Sequence, residues 1–486
     1  SGIDSFVLRA EASELSVAPW QGAPGAEGLS GYLEVRPGQG LLMVDAEALS
    51  LAFPNLYDDA FQLNDVKAEL RWNYDDQRLG LHSGLISAET NGKPMSAMLR
   101  LDLPLQKDAK QDPMMTLMIG ARDVDATRHG VYTPNVFSDG LHTWLADSIR
   151  GGYINSAGFI YHGSLLAGAE QRPSVQLDLD LADIELRFQN DWPSVEALQA
   201  SVLIDNGDVI AISDSAMIDG LSLGPLDVGI QPSPSGYAAL DVATSANPNF
   251  TQIKRLLIDT PLHSYIGNIF DSWTGEGDAR VDFELHMPFV DELIPKIRVE
   301  TDIDFSMLGL PDYRLSLSDA KGHLSYESDS GLSSDNLRAM AFYRPLTASI
   351  SQSGGRVDVD IATSIATRNI EHWLGVPALQ FFRGSSDIGI HIQAGGETPG
   401  LTVTSDLQGV EISLPQPFYK PAESKQQLHI SLPFNDDSIM SLALQDQFNM
   451  DLGLSAGTVF GVNLTLGSGD VDAPVSRPSL GQFNVS

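Results

Sequence analysis

The sequence predicts a mainly β protein, built from repeated antiparallel strands with short helices at the repeat junctions. Three observations predict it. Apolar and polar residues alternate over long stretches, turn signals separate those stretches, and three short helical segments recur at similar spacing. Period-two alternation marks a strand because successive side chains point to opposite faces of a sheet.

The clearest strand is "SVQLDLDLADIELRF" at 174–188. Val175, Leu177, Leu179 and Leu181 alternate with Gln176, Asp178 and Asp180. After Ala182 the phase flips, and Ile184, Leu186 and Phe188 become the apolar positions. An unbroken strand of this length reaches about 50 Å at ~3.3 Å per residue. A phase flip at Ala182–Asp183 is what a β-bulge produces, since one extra residue moves later side chains to the other face. A hairpin corner at 182–183 produces the same flip. Further strands read as "RVDFELHMPF" (280–289), "RVDVDIA" (356–362), "SDIGIHIQA" (386–394), "QLHISLPF" (427–434) and "GVNLTL" (461–466). Asn91-Gly92, Asn206-Gly207 and Gly395-Gly396 are turn signals.

The helical segments are "SDGLHTWLADSI" (138–149), "TQIKRLLIDTPLHSYIGNIF" (251–270) and "TRNIEHWLGVPALQFF" (367–382). In the first, Leu141, Trp144, Leu145 and Ile149 form one apolar stripe, with Ser138 or Asp139 placed to cap it. In the second, Pro261 divides two helical turns. "LHTWL" (141–145), "LHSYI" (262–266) and "IEHWL" (370–374) align, so the aromatic residues Trp144, Tyr265 and Trp373 recur 121 and 108 residues apart. Each reads as an anchor holding a helix on the sheet. The repeat divides the chain into a partial strand-rich unit over 1–137, repeats over 138–250, 251–366 and 367–466, and a polar tail over 467–486. Arrays of this kind are quasi-one-dimensional.

Composition sets the function classes. With 486 residues the chain exceeds what one core usually serves. A net charge of −35 argues against nucleic acid and against docking on anionic lipid through a basic patch. There is no cysteine, hence no disulfide, thiolate metal site or thiol nucleophile. No apolar run approaches a membrane span. The opening "SGIDSFVLRA" reads as an added scar or a cut end; if the natural protein has an anchor or export signal, it is expected to be missing from this sequence. No metal-binding or phosphate-binding motif occurs, and no carboxylate pair stands out. "GLSLG" (220–224) has the letters of a nucleophile elbow, but Pro225 and "LDVGI" place it between two strands. His142, His263 and His372 read as helix-surface positions. The expectation is a protein that is not an enzyme and uses no cofactor.

The run "VYTPNVFSDGLHTWLADSIRGGYINSAGFIYHGSL" (131–165) resembles the AsmA-like proteins of Gram-negative bacteria, of the YhdP type. The matching residues are Tyr132, Pro134, Trp144, Leu145, Gly151, Gly152 and Gly163. Segments 191–212, 260–289 and 368–422 are similar to later parts of that family. The resemblance implies a long, twisted antiparallel sheet curled into an apolar groove. It implies a bridge-like protein of the periplasm, anchored in the inner membrane and carrying phospholipids between inner and outer membranes.

Alternation alone leaves two structures open. The apolar face can pack on a second sheet in a closed core, as in an adhesin or scaffold, or it can line a groove. With the resemblance, the groove is the expectation. Its lipid-binding lining is then Val175, Leu177, Leu179, Leu181, Val281, Phe283, Leu285, Val357, Val359, Ile361, Ile388, Ile390, Ile392, Leu428, Ile430 and Leu432.

Overall fold

The computed structural model describes residues 6–20, 23–106, 111–166, 168–232, 236–266, 270–290, 293–434, 437–455, 458–467 and 483–485. Its contacts divide the chain into two compact units. The first holds Ser1–Ser245 with His286–Ile294, the second Ala246–Leu285 with Pro295–Ser486.

Both units are antiparallel ladders of neighbouring strands. In the first, Ser174–Leu186 is a single strand of 13 residues lying between Ile149–Ser164 and Val195–Asp205. The turn between Val195–Asp205 and Asp208–Ile218 is Asn206-Gly207, both with positive φ, as a two-residue hairpin requires. The expected flip at Ala182–Asp183 is a bulge. Leu181 pairs with Ala200 but Ile184 pairs with Leu198, so one residue is extra on the first strand. Asp183 takes the left-handed conformation (φ 53°), and its Oδ1 accepts from Gln199 Nε2 at 2.8 Å. Opposite it stands Gly152 (φ 106°), where a Cβ would lie 2.7 Å from the Asp183 carbonyl oxygen.

This bulge recurs. Asp65, Asp123, Ala197 and Asp319 are left-handed residues inside strands, like Asp183. In all five strands the next residue is the most buried one: Val66, Val124, Ile184, Leu198 and Ala320. Val66, Ile184, Leu198 and Ala320 belong to the closed cores. Ile184 and Leu198 pack with Ala126, Val195, Ala200 and Ala216, and Val66 packs with Val44, Ala46, Leu49 and Ala88. In the second unit Ala320 packs with Phe250, Ala279, Phe305 and Ala339. Each core sits where its strands bend.

The three helical segments are present. Asp139–Ser148 connects the paired strands Met114–Asp125 and Ile149–Ser164, with Ser138 accepting at its N-cap from the Leu141 amide at 3.3 Å. Phe250–Ile258 is closed by a capping box of Asn249 and Gln252, and a short helix, His263–Ile266, follows Pro261. Thr367–Leu374 ends at the left-handed Gly375 and continues as a 3-10 turn, Pro377–Phe381. Six strands separate each of these three segments from the next.

Two details differ from the sequence reading. Ile149 is not on the helical stripe; it is the extended C-cap and opens the next strand. Trp144 is not buried on the sheet either. It is half-exposed and donates its indole N–H to the Phe188 carbonyl at 3.4 Å, because the helix runs straight into a strand and leaves the ring over the neighbouring loop. Trp373 makes the equivalent bond to the Tyr313 carbonyl at 2.8 Å and packs on Phe342. The side chain of Tyr265 lies outside the described residues. So does most of the tail expected over 467–486; Phe483–Val485 within it forms a short strand parallel to Thr458–Leu466.

The bulge makes a direct prediction. Asp183→Gly should leave the urea unfolding midpoint nearly unchanged. Asp183→Val should lower it by the equivalent of about 1–2 kcal/mol, because a β-branched residue resists the left-handed conformation.

Candidate functional site

The strands carry an apolar face whose extent register decides; the opposite face is mixed in the first unit, where Met98, Met118 and Ile160 share an exposed row. In the first unit Ala97, Ile119, Phe159, Leu177, Ile204, Val209 and Ile230 face one another in sequence across seven strands. In the second unit Ala348, Ile361, Ile390, Val403, Ile430, Leu442, Met450 and Leu464 do so across eight. At ~4.8 Å per strand, the second row is about 34 Å long.

The adjacent row on the opposite face of the same eight strands is wholly polar. It reads Ser349, Asp360, His391, Thr402, Ser431, Ser441, Asp451 and Asn463. Its members bond to each other: His391 Nδ1 lies 2.8 Å from Asp360 Oδ1, and Ser441 Oγ donates to Asp451 Oδ1 at 2.7 Å. The same pairing recurs on the outer face elsewhere. His323 Nδ1 lies 2.8 Å from Asp302 Oδ1, and its Nε2 lies 2.9 Å from Glu300 Oε2. The Asp302 bond, with help from Glu300, raises the His323 pKa above its ordinary value.

The structure places the sixteen anticipated lining residues as follows. Val175, Leu177, Leu179 and Leu181 share the apolar face of the first unit with Phe159, Ile204 and Val202. Val359, Ile361, Ile390, Ile392, Ile430 and Leu432 fall in two adjacent rows of the second unit, with Leu401 and Val403 between them. Val357 pairs with Ala394, Ile388 with Thr363 and Leu428 with Leu444 at the edges of those rows. Val281, Phe283 and Leu285 continue the phase of the buried Ala279 on their own strand. All sixteen are half-buried; none is withdrawn from solvent as Ile184 is, at 4% exposure.

A closed sandwich would bury these side chains between two sheets. Among the described residues of each unit, the close backbone contacts between strands join ladder neighbours, and the sixteen side chains keep partial exposure.

The family model described as YhdP protein matches residues 1–485. The chain belongs to the YhdP family. No curated protein and no solved structure matches it. Among the described residues of this YhdP-family chain, no helix is long and apolar enough to cross a membrane.

The sequence reading missed two kinds of residue. Ile119, Phe159, Ile204, Val209, Val403, Leu442 and Met450 lie in the same rows as the anticipated ones, and their signal was the same alternation in neighbouring strands. Lys420 gave no signal at all. It is 2% exposed and donates to the carbonyls of Leu407, Val410 and Pro421 at 2.8–3.2 Å. Burial pushes its pKa below the ordinary lysine value. It ties the loop after Gly400–Ser405 onto the core of Leu407, Val410, Ile412 and Leu444.

Two outcomes test this geometry. Leu179→Asp should leave the circular dichroism spectrum native, since a half-buried carboxylate stays hydrated, whereas Ile184→Asp should abolish it. The second concerns pH. Because the folded-state pKa of His323 is raised, its contribution is complete below the unfolded value of about 6.5 and fades as pH rises through the folded value. His323→Gln should therefore lower the urea midpoint at about pH 6 and hardly change it at about pH 9.

Proposed function

We propose that this chain is a segment of a bridge-like lipid transport protein, whose apolar face shields phospholipid acyl chains on their way between two membranes. One observation carries the reading: a row of apolar side chains eight strands long, each keeping partial exposure, backed by a wholly polar row. Family membership supports it. In this reading the full-length protein stands in the periplasm, anchored to the inner membrane, and its two ends meet the inner and outer membranes.

The physics is transfer without chemistry. Each methylene exposed to water costs about 0.8 kcal/mol, so some thirty methylenes of a two-chain lipid cost roughly 25 kcal/mol. A continuous apolar trough removes most of that barrier while leaving the headgroup hydrated. It needs no nucleophile, general base, metal or cofactor, and we propose that the protein is not an enzyme. The chain's acidity, −35 overall, keeps it dissolved and repels anionic membrane surfaces along its length.

The test is photo-crosslinking in cells, with a photoreactive amino acid at Leu179 and, as the outward control, at Asp178. Phospholipid should be captured at Leu179 and not at Asp178. Capture of protein alone at Leu179 would overturn lipid transport.

A further inference from the structure

The two ends of the apolar face are built differently. At one end the bulges bend the strands into closed cores. In the first unit, aromatic rings add to the closure: Tyr57 and Phe61 lie 4.8 Å apart between centroids, with Phe53 and Tyr132 beside them. In the second unit, Phe250 of the capping helix meets Phe305 edge-on at 5.5 Å. The buried side chains of these corners are apolar, and burying a hydrated, charged group among them would be costly.

At the other end the strands finish in hairpins, and the last inward position is repeatedly a large apolar residue. Tyr74, Leu105, Leu165 and Phe289 occupy it in the first unit, and Phe434 in the second; all are 44–53% exposed. Their inward phase follows from the ladder. Tyr74 pairs with Leu79, as Trp72 does with Leu81. The amides of Leu105, Leu165, Phe289 and Phe434 donate to the carbonyls of Gln77, Pro113, Ala238 and Pro399 at 2.8–2.9 Å, one step beyond the strand ends. These side chains form a lip on the apolar face.

The span between lip and bend has a matching length. From Val175 to Leu181 are six residue steps, about 20 Å. The hydrocarbon core of a bilayer is about 30 Å for two leaflets, so one acyl chain needs about 15 Å. The span takes one chain laid along the strands.

We infer that the apolar face imposes a polarity on its cargo: acyl methyl ends lie at the bulge corner, and the glycerol end of the lipid lies at the hairpin lip, where Leu105 and its counterparts contact the first methylenes. This rests on the lipid reading above. The headgroup then stays in water along one edge only, and cargo enters and leaves across that edge.

The chain has no cysteine, so single-cysteine variants take one label each. Leu105→Cys, Leu179→Cys, Leu181→Cys and the outward control Asp178→Cys would carry a bimane fluorophore; Leu226, partly buried against the core of Ile184 and Leu198, gives a second corner site as Leu226→Cys should the label at Leu181 disturb the fold. The full chain would be loaded with phosphatidylcholine brominated near either the carboxyl or the methyl end of its acyl chains. Near-carboxyl bromines should quench Leu105 more strongly, and methyl-end bromines Leu181 or Leu226. The reverse order, or equal quenching by both lipids at lip and corner, would overturn the polarity while leaving lipid binding intact. Absence of quenching at Leu179 by either lipid would overturn the lipid reading itself.

Discussion

A left-handed residue in the middle of a strand is the constraint on which this structure depends. Alternation of period two can keep an apolar face inward only while the strand runs straight. A bend without an extra residue would turn the later apolar side chains outward. The extra residue at Asp183 supplies both the bend and the phase correction, and Asp65, Asp123, Ala197 and Asp319 are left-handed in the same way. Aspartate suits the position because its short polar side chain tolerates the left-handed region better than a branched one. Gly152, facing Asp183, completes the arrangement, since any Cβ there would collide with the backbone.

The bend also divides the labour among apolar residues. Those next to the left-handed positions are removed from water and hold the fold together. Those along the straight part of the strands are only half covered, so each contributes less to stability and remains available for contact. A sheet whose whole inner face were packed would be more stable and would have no surface to offer. With the closed cores at one end, the rest of the face is only partly covered. On the opposite face, cross-strand pairs such as His323 with Asp302 and His391 with Asp360 satisfy the polar row locally. In so acidic a chain they also relieve some of the repulsion between neighbouring carboxylates.

The helices contribute through their ends more than through their faces. Trp144 and Trp373 each donate to a backbone carbonyl of another element, tying the helix to a neighbouring segment. Register in a ladder passes from strand to strand. A slip of one residue at Ile149–Ser164 would exchange Phe159 for Gly158 in the row that contains Leu177.

The sequence by itself determined the strands, their apolar faces and the phase flip at 182–183, while the structure decided that the flip is a bulge and not a hairpin corner. Strands, faces and flip are local: alternation depends only on successive residues, and a phase flip is visible wherever it occurs. The sequence also determined the sixteen lining positions as members of apolar faces, for the same reason. Only the tertiary structure decided which strands lie side by side, and so which residues join Leu177 or Ile390 in a row, because pairing is a property of distant segments. Only it separated Ile184, a core residue, from Leu179, a half-buried one, although both are apolar positions on one strand. That difference lies in what packs above each side chain, and Leu198, Ala126 and Ala216 come from elsewhere in the sequence. Lys420 was invisible for the same reason: its three carbonyl partners are brought together by a folded loop that no local pattern encodes.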